Sequence, residues 1–274
     1  MNFRLDGNNF LIEKATCLSL AQTLDCGQAF RWSEEDGIWQ GVAGGKLRRL
    51  SQEGDTITIY DCDEVEFSEF YRPYFDLDRS YDDIVLAVAE NTVLRDATSL
   101  AGGIRILRQD PWETLCSFII SQNNNIPRIK GIITRLCEQF GERIEGGFSF
   151  PTAEKIASLT PEDLAPLRAG FRTKYILDAA KKLSSGEVSV AKIETLPTDE
   201  ARAELMKIYG VGEKVADCTL LFSFARIDAF PKDVWIKRAM TVLFDGKLPE
   251  CAVPYAGIVQ QYLFHYARMT KLEL

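Results

Sequence analysis

The stretch IYGVGEKVADCTLLF, residues 208–222, predicts two helices joined by a glycine-rich turn. Upstream, Thr198 is placed to cap the first helix, and Glu213 opens the second. Between them Gly210 and Gly212 allow positive φ angles at little steric cost. We therefore predict a helical hairpin with a tight glycine turn.

This hairpin, over about residues 198–224, has the features of a phosphate grip. The turn leaves backbone N–H groups unpaired at the start of the second helix. Those donors and the positive end of the helix dipole suit a phosphate, and they recognise a nucleic-acid backbone without reading its sequence. The alternative is an ordinary helical hairpin whose glycines only allow close packing.

A lysine lies on the apolar face of the second helix. Lys214 shares a helical stripe with Cys218, Leu221 and Ala225, at spacings of four, seven and eleven residues. Desolvation there disfavours the ammonium form, and a neutral lysine is a nucleophile that can form a Schiff base. The alternative is an exposed Lys214 that pairs with Asp217 three residues later.

Asp233 follows in the segment FPKDVWIKRAM, directly before an apolar-periodic run, and is predicted to cap a third helix. A carboxylate that accepts backbone N–H bonds is held in its ionised form. Such a fixed negative charge stabilises positive charge that develops nearby, as at the C1′ atom of a sugar. Lys214 and Asp233 together fit glycosidic cleavage through an imine.

The remainder of the chain predicts an α+β fold of two domains. Alternating apolar positions and Asp-Gly, Gly-Gly and Glu-Gly turns in the first sixty residues indicate an antiparallel sheet. Helical periodicity begins near residue 64, with Ser80 as a cap. We expect a small antiparallel β domain with its following helices in residues 1–100, then an all-helical body in 101–274.

Composition excludes several kinds of chemistry. Seven scattered cysteines without a C-x-x-C pair argue for reduced thiols and against a disulfide framework, a zinc site or a four-cysteine iron–sulfur cluster. The single histidine, His265, argues against a histidine triad or a multi-histidine metal site. We expect no metal and no cofactor.

Charge and hydropathy bear on location and partners. The sequence shows neither a signal peptide nor an apolar run that could span a membrane, which predicts a cytoplasmic protein, nucleoid-associated if bacterial. The net charge is −8, but residues 1–100 carry −10 and residues 101–274 carry +2. A basic face in the second part therefore remains compatible with a polyanionic partner.

The motifs resemble the helix-hairpin-helix DNA glycosylase superfamily, through YGVGEKVADC at 209–218 and FPKDV at 230–234. Four further stretches resemble 8-oxoguanine DNA glycosylases of the type shared by eukaryotes and some bacteria, so that the likeness covers nearly the whole chain. They are CGQAFRW at 26–32, GIRILRQDPWETLCSFIISQNNNIPRI at 103–129, GFRTKY at 170–175 and AGIVQQYLF at 256–264.

The resemblance implies a bifunctional glycosylase and abasic-site lyase that acts as a monomer on double-stranded DNA containing 8-oxoguanine. Lys214 would attack C1′ of a flipped nucleotide and Asp233 would stabilise the charge that develops there. The resulting Schiff base would allow β-elimination. The hairpin would hold the DNA backbone through Gly210, Gly212 and the N–H of Val215.

The resemblance also implies a pocket for the flipped base. Cys218 and the ring of Phe264 would enclose it, and Gln260 would read its Watson–Crick edge. The Gly27 carbonyl would accept a hydrogen bond from N7–H, which 8-oxoguanine has and guanine lacks. The alternatives are core positions for Cys218 and Phe264, a turn for Gly27 and a surface position for Gln260.

On the opposite strand, Asn123, Arg128 and Arg172 match residues that hydrogen-bond the orphaned cytosine. Phe171 matches an aromatic wedge that fills the duplex gap, where eukaryotic members have tyrosine, and shape and stacking should let phenylalanine serve. Trp235 replaces a histidine that eukaryotic members place near the DNA backbone. The alternative for the Asn run is a loop built on Asx turns.

Two other functions remain open at this stage. A monofunctional alkylbase glycosylase of the same superfamily would keep the role of Asp233, activate water and need no lysine at position 214. A non-enzymatic DNA-binding module would use the hairpin only as a grip. An adenine glycosylase with an iron–sulfur cluster is disfavoured because the cysteines for the cluster are missing.

Overall fold

An antiparallel sheet of six strands forms the N-terminal part of the computed structural model, which describes residues 1–270. The strands lie in the spatial order β1-β2-β6-β5-β4-β3. Their bounds are β1 Asn2–Asp6, β2 Asn9–Glu13, β3 Trp32–Glu35, β4 Ile38–Ala43, β5 Lys46–Glu53 and β6 Thr56–Ile59.

The central strands β2 and β6 show why this segment forms a sheet. Phe10 lies opposite Ile59 and Ile12 lies opposite Ile57, and all four side chains are buried. Apolar residues at every second position place a continuous apolar face against the core. The predicted antiparallel sheet is therefore confirmed.

The body that follows is helical. One short helix, α1 (Leu20–Leu24), lies between β2 and β3. The chain that follows β6 forms α2 (Glu64–Glu66), a π-helical turn (Phe67–Tyr71) and α3 (Arg72–Tyr74) in succession. The remaining helices are α4 Tyr81–Val88, α5 Thr92–Ala101, α6 Pro111–Ser121, α7 Ile126–Phe140, α8 Ala153–Ala157, α9 Arg172–Ser185, α10 Val190–Thr195, α11 Thr198–Leu205, α12 Glu213–Phe224, α13 Val234–Phe244 and α14 Ala256–Met269.

The predicted α+β architecture is confirmed, with one small departure in the body. Residues Arg143–Ile144 (β7) and Gly147–Phe148 (β8) form a short antiparallel hairpin, so the body is not entirely helical. Two short 3₁₀ turns, Ala165–Leu167 and Glu250–Tyr255, complete the connections. Within residues 1–270, no helix has the length and apolar character that a membrane span requires.

Helices α4 and α5, which the sequence grouped with the sheet, pack in the core of the helical body. The predicted cap is present, since Ser80 Oγ accepts a hydrogen bond from the Asp83 N–H at 3.3 Å. However, Tyr81, Ile84 and Leu94 belong to the same buried cluster as α6 and α12. In their packing, α4 and α5 therefore belong with the helical body, whereas Leu107, further along the chain, packs in the core of the sheet.

Arg105 joins the two cores. Its side chain is only 2% exposed. The guanidinium donates to the carbonyl oxygens of Cys17 at 3.1 Å and Asp76 at 2.7 Å, and lies 4.3 Å from the centre of the Tyr81 ring. Because buried charge is tolerated only with such partners, these contacts fix the sheet against the helical body.

Candidate active site

The glycine turn connects α11 to α12, but α11 begins differently from the prediction. Pro197 occupies the N-cap position and no side chain caps the helix, so Thr198 is the first helical residue. The predicted Thr198 cap is wrong, because Thr198 already has helical geometry and the non-helical residue before the helix is Pro197. Glu213 opens α12, as the sequence predicted.

The two turn glycines have different roles. Gly210 has φ +83°, and a Cβ atom there would overlap the ring of Tyr175. Gly212 is the N-cap of α12 with φ −103°, so it does not use the positive φ that glycine permits. A Cβ atom on Gly212 would have open space around it, and no side chain caps α12. The first N–H groups of α12 thus face an accessible surface.

We predict that Gly210→Ala destabilises the protein by about 1–3 kcal/mol, because it adds a strained φ angle and a clash with Tyr175. The affinity of this variant for DNA should also fall, because the turn before α12 is distorted. Denaturant unfolding and fluorescence anisotropy with a lesion duplex measure the two effects. Gly212→Ala is the matched control and should cost less, at most about 1 kcal/mol, because it only replaces the N-cap glycine of α12 without a clash. Equal losses of stability in both variants would contradict this account of the turn.

Lys214 lies in the first turn of α12 and is half-buried. Its Nζ donates to Ser121 Oγ at 3.2 Å and lies 4.9 Å from the centre of the Phe118 ring. The alternative Lys214–Asp217 pair is not formed, because Asp217 accepts from Arg202 Nε at 2.5 Å. No carboxylate in residues 1–270 forms a salt bridge with Lys214 in the structure.

Asp233 is the N-cap of α13, as predicted. Its Oδ1 accepts a hydrogen bond from the Ile236 N–H at 2.7 Å. The carboxylate is thus held by the start of a helix, where the positive end of the helix dipole also favours a negative charge. Asp233 and Lys214 line the same cavity.

The cavity has a volume of about 60 Å³ and collects the predicted catalytic and base-pocket residues. The residues predicted from the sequence that line it are Gly27, Lys214, Cys218, Asp233, Gln260 and Phe264. Residues that the sequence reasoning missed are Cys26, Phe118, Phe222, Pro231 and Gln261.

The cysteine thiols of the cavity are held neutral. Burial raises the pKa of Cys218 to about 11, although nearby Lys214 opposes this shift. Burial also raises the pKa of Cys26 to about 12. Because the thiolate is the reactive form of cysteine, both thiols are poor nucleophiles at neutral pH. Cys218 is 3% exposed and serves as a wall of the cavity.

The Gly27 loop is fixed by its neighbour. Gly27 has φ +88°, and a Cβ atom there would lie 3.9 Å from the Phe264 ring. The buried Gln28 amide donates to the carbonyls of Thr23 and Arg105 at 2.9 and 2.8 Å and accepts from the Leu107 N–H at 2.9 Å. Gln28 therefore holds the Gly27 loop in place through these hydrogen bonds. This role was not identified from the sequence, although Gln28 is part of the CGQ motif.

The Asn triplet combines the two interpretations of the sequence. Asn125 Oδ1 caps α7 by accepting from the Arg128 N–H at 3.0 Å, and Asn124 Nδ2 donates to the Ile120 carbonyl at 3.0 Å. Asn123 is exposed with φ +47°, and Arg128 is exposed as well. Two of the asparagines therefore build the loop and the third projects from it.

Arg172 does not join the exposed residues. Its side chain is 2% exposed, and burial together with Arg128 lowers its pKa. The guanidinium donates to the carbonyls of Gln122 at 2.9 Å, Asn123 at 3.0 Å and Ala169 at 3.2 Å. Arg172 therefore supports the Asn123 turn. To contact a cytosine, the guanidinium must give up a hydrogen bond to one of these carbonyls and donate to the base instead.

The predicted wedge is connected to the hairpin by an aromatic column. Phe171 is 45% exposed and its ring centre lies 5.7 Å from that of Tyr175, which lies 5.0 Å from that of Tyr209. Tyr175 also packs on Gly210. These rings therefore fix the position of Phe171 relative to the glycine turn. Trp235, at the start of α13, is 47% exposed.

A second depression lies on the hairpin side of Lys214. Gly212, Lys232 and Lys237 line it together with Lys214. Arg202 also lines it and pairs with Asp217, and with the carboxylates of Glu213 and Asp228 the lining keeps a small excess of cations. Despite the net charge of −8 of the whole chain, this surface offers cations beside the free N–H groups of α12, which suits a phosphate backbone.

Comparisons with known families agree with this geometry. Residues 10–115 match the family described as 8-oxoguanine DNA glycosylase, N-terminal domain. Residues 116–247 match the HhH-GPD superfamily of base excision DNA repair proteins. The N-glycosylase/DNA lyase of Saccharomyces cerevisiae is 34% identical over 253 residues, which cover 81% of this chain and 67% of that protein.

Two solved structures share the fold over nearly their whole length. The 8-oxoguanine glycosylase/lyase of Clostridium acetobutylicum, in complex with double-stranded DNA containing cytosine opposite 8-oxoguanine, has a TM-score of 0.91 and 36% identity. The match covers 99% of both chains. MBOgg1, in complex with a low-affinity DNA ligand, has a TM-score of 0.92 and 40% identity and covers 98% of this chain and 99% of its own.

Proposed function

The chain belongs to the 8-oxoguanine DNA glycosylases of the helix-hairpin-helix base-excision repair superfamily, and we propose that Lys214 performs its glycosylase and lyase chemistry through a Schiff base. The observation that carries this proposal is the shared cavity. Lys214 and Asp233 line it together with the Gly27, Cys218 and Phe264 walls. A nucleophile and a fixed carboxylate thus face the same cavity.

The reaction begins when the damaged nucleotide leaves the base stack of double-stranded DNA and enters the cavity. As the bond between C1′ and N9 breaks, positive charge grows on the sugar and Asp233 stabilises it. The Lys214 nitrogen bonds to C1′, and a proton passes from the amine to the departing base. Opening of the sugar ring gives the imine.

The imine then enables strand cleavage. It acidifies the C2′ hydrogen, and loss of that proton breaks the bond between C3′ and its phosphate oxygen, which completes β-elimination. No metal or organic cofactor is needed for these steps. Within residues 1–270, no group of three or more His, Cys, Asp or Glu side chains is arranged to hold a metal ion.

Recognition of the lesion rests on the Gly27 loop and α14. The Gly27 carbonyl accepts the N7–H of 8-oxoguanine, whereas guanine presents a lone pair there and is rejected. Gln28 supports this discrimination because its three hydrogen bonds fix the loop. Gln260 reads the Watson–Crick edge, and Phe264 closes on the face of the base.

The strand opposite the lesion is read by the exposed Asn123 and Arg128, with Phe171 inserted in the duplex gap. Arg172 stabilises the Asn123 loop in the free protein and donates to the cytosine when the duplex is bound. Gly210, Gly212 and the Val215 N–H grip the backbone. The chain acts as a monomer, cytoplasmic and nucleoid-associated if bacterial.

The two alternative functions leave parts of the site unexplained. A monofunctional alkylbase glycosylase that activates water has no use for Lys214, which lines the cavity without an ion-pair partner in the described residues. A DNA-binding module without chemistry explains the hairpin but not a cavity beside it that is lined by both Lys214 and Asp233.

We expect the protein to cut an end-labelled duplex at 8-oxoguanine, and to do so about tenfold or more faster opposite cytosine than opposite adenine, guanine or thymine. Single-turnover gel assays with the four duplexes measure this, with unmodified guanine opposite cytosine as the control. Equal rates on all four duplexes would refute the cytosine preference. Base release without strand cleavage would favour the monofunctional alternative.

A further inference from the structure

Gln261 is a buried glutamine in the cavity wall with one half of its amide unused. It follows Gln260 on α14, and both side chains are 4% exposed and line the cavity. Gln261 Nε2 donates to Gln260 Oε1 at 2.8 Å. Within residues 1–270, Gln261 Oε1 has no hydrogen-bond partner. Buried polar atoms nearly always have one, so this atom requires an explanation.

The hydrogen bond between the two glutamines fixes both amides. Because Gln261 uses its N–H on Gln260, its carbonyl oxygen remains a free acceptor. Gln260 Oε1 accepts one hydrogen bond from Gln261 and keeps a second lone pair. The pair therefore presents two neighbouring acceptors.

The Watson–Crick edge of 8-oxoguanine carries the matching donors, N1–H and the 2-amino group. We propose that Gln261 is a second reader of the damaged base, which rests on the function proposed above. Gln260 Oε1 accepts N1–H, and Gln261 Oε1 accepts one N–H of the 2-amino group. The cavity then selects 8-oxopurines that carry both donors.

This arrangement has a consequence for specificity. A base of the adenine type presents an acceptor at N1 and has no 2-amino group. Gln261 Oε1 is then left without a donor, and Gln260 Oε1, which keeps the hydrogen bond from Gln261, faces the N1 lone pair. Rejection is strong when a buried polar group loses its partner. Gln261 thus makes the 2-amino group a requirement, independently of the N7–H that the Gly27 carbonyl reads.

The test compares 8-oxoguanine with 8-oxohypoxanthine, which lacks only the 2-amino group, each opposite cytosine. We expect the unmodified protein to excise 8-oxoguanine at least about tenfold faster in single turnover. In Gln261→Met the 8-oxoguanine rate should fall by about the same factor, with 8-oxohypoxanthine changed less than about twofold. The preference for the 2-amino group then disappears.

Tyr262→Phe is the matched control, because it removes a buried hydroxyl that also has no partner in the described residues but does not line the cavity. It should keep the preference. Circular dichroism and binding to an abasic-site duplex confirm that both variants fold. If Gln261→Met slows both substrates equally, or neither, Gln261 does not read the 2-amino group. If the unmodified protein does not excise 8-oxoguanine, the proposed function itself fails.

Discussion

Replacing Lys214 with glutamine is expected to lower the rate of 8-oxoguanine excision by at least about 10³-fold and to remove strand cleavage. Glutamine has similar length but no nucleophilic amine, so neither the bond to C1′ nor the imine can form. Single-turnover assays on an 8-oxoguanine duplex measure both steps. The size of the loss follows from removing the group that makes the covalent bond.

The protein should stay folded in this variant. Lys214 contacts the Ser121 hydroxyl and the Phe118 ring and lies near the neutral Cys218 thiol, and none of these contacts is a buried ion pair. Lys232→Gln is the matched control, because this exposed lysine lies in the neighbouring depression. It should weaken DNA binding and leave the chemical step unchanged. Rapid excision by Lys214→Gln would refute the assignment of Lys214 as the nucleophile.

The second large effect is expected at Asp233. Asp233→Asn should lower the excision rate constant by about 10²–10³-fold, because it removes the negative charge opposite the developing positive charge on the sugar. Stability should change little, since asparagine caps a helix as well as aspartate does. Single-turnover excision and thermal unfolding measure the two quantities separately.

Asp233→Ala is a useful comparison, because it removes both the charge and the cap. It should lose activity to the same extent and also about 1 kcal/mol of stability, since the Ile236 N–H loses its acceptor. Binding to the lesion duplex should persist in Asp233→Asn. If Asp233→Asn retained full activity, the aspartate would act only as a cap.

The sequence was sufficient for the parts of the site that depend on local spacing. The apolar stripe placed Lys214 beside Cys218, and the structure buries Cys218 and half-buries Lys214. The position of Asp233 before an apolar-periodic run identified it as a cap. Helix periodicity and capping are properties of a few consecutive residues, which explains why they can be read in advance.

Contacts between distant segments could not be read in this way. The sequence shows that Gly210 permits a positive φ, but not that the ring of Tyr175 lies against it. It marks Arg172 by resemblance, but not its burial beneath the Asn123 turn. The unused acceptor of Gln261 likewise becomes visible only once α14 lies beside the cavity.

The same limit applies to the division between the domains. Helices α4 and α5 follow the sheet in the chain, and their periodicity shows only that each has an apolar face. Which core receives that face depends on packing partners far along the sequence, such as α14, which lies against α5. Assigning these helices to the core of the helical body therefore requires information that local patterns do not contain.

The central claim is that Lys214 becomes covalently bound to the DNA. We would incubate the protein with an 8-oxoguanine duplex and borohydride, digest the trapped complex with protease and identify the modified peptide by mass spectrometry. The account predicts a reduced imine on Lys214 and on no other residue. An adduct on a different amine, or base release without any adduct, would contradict it.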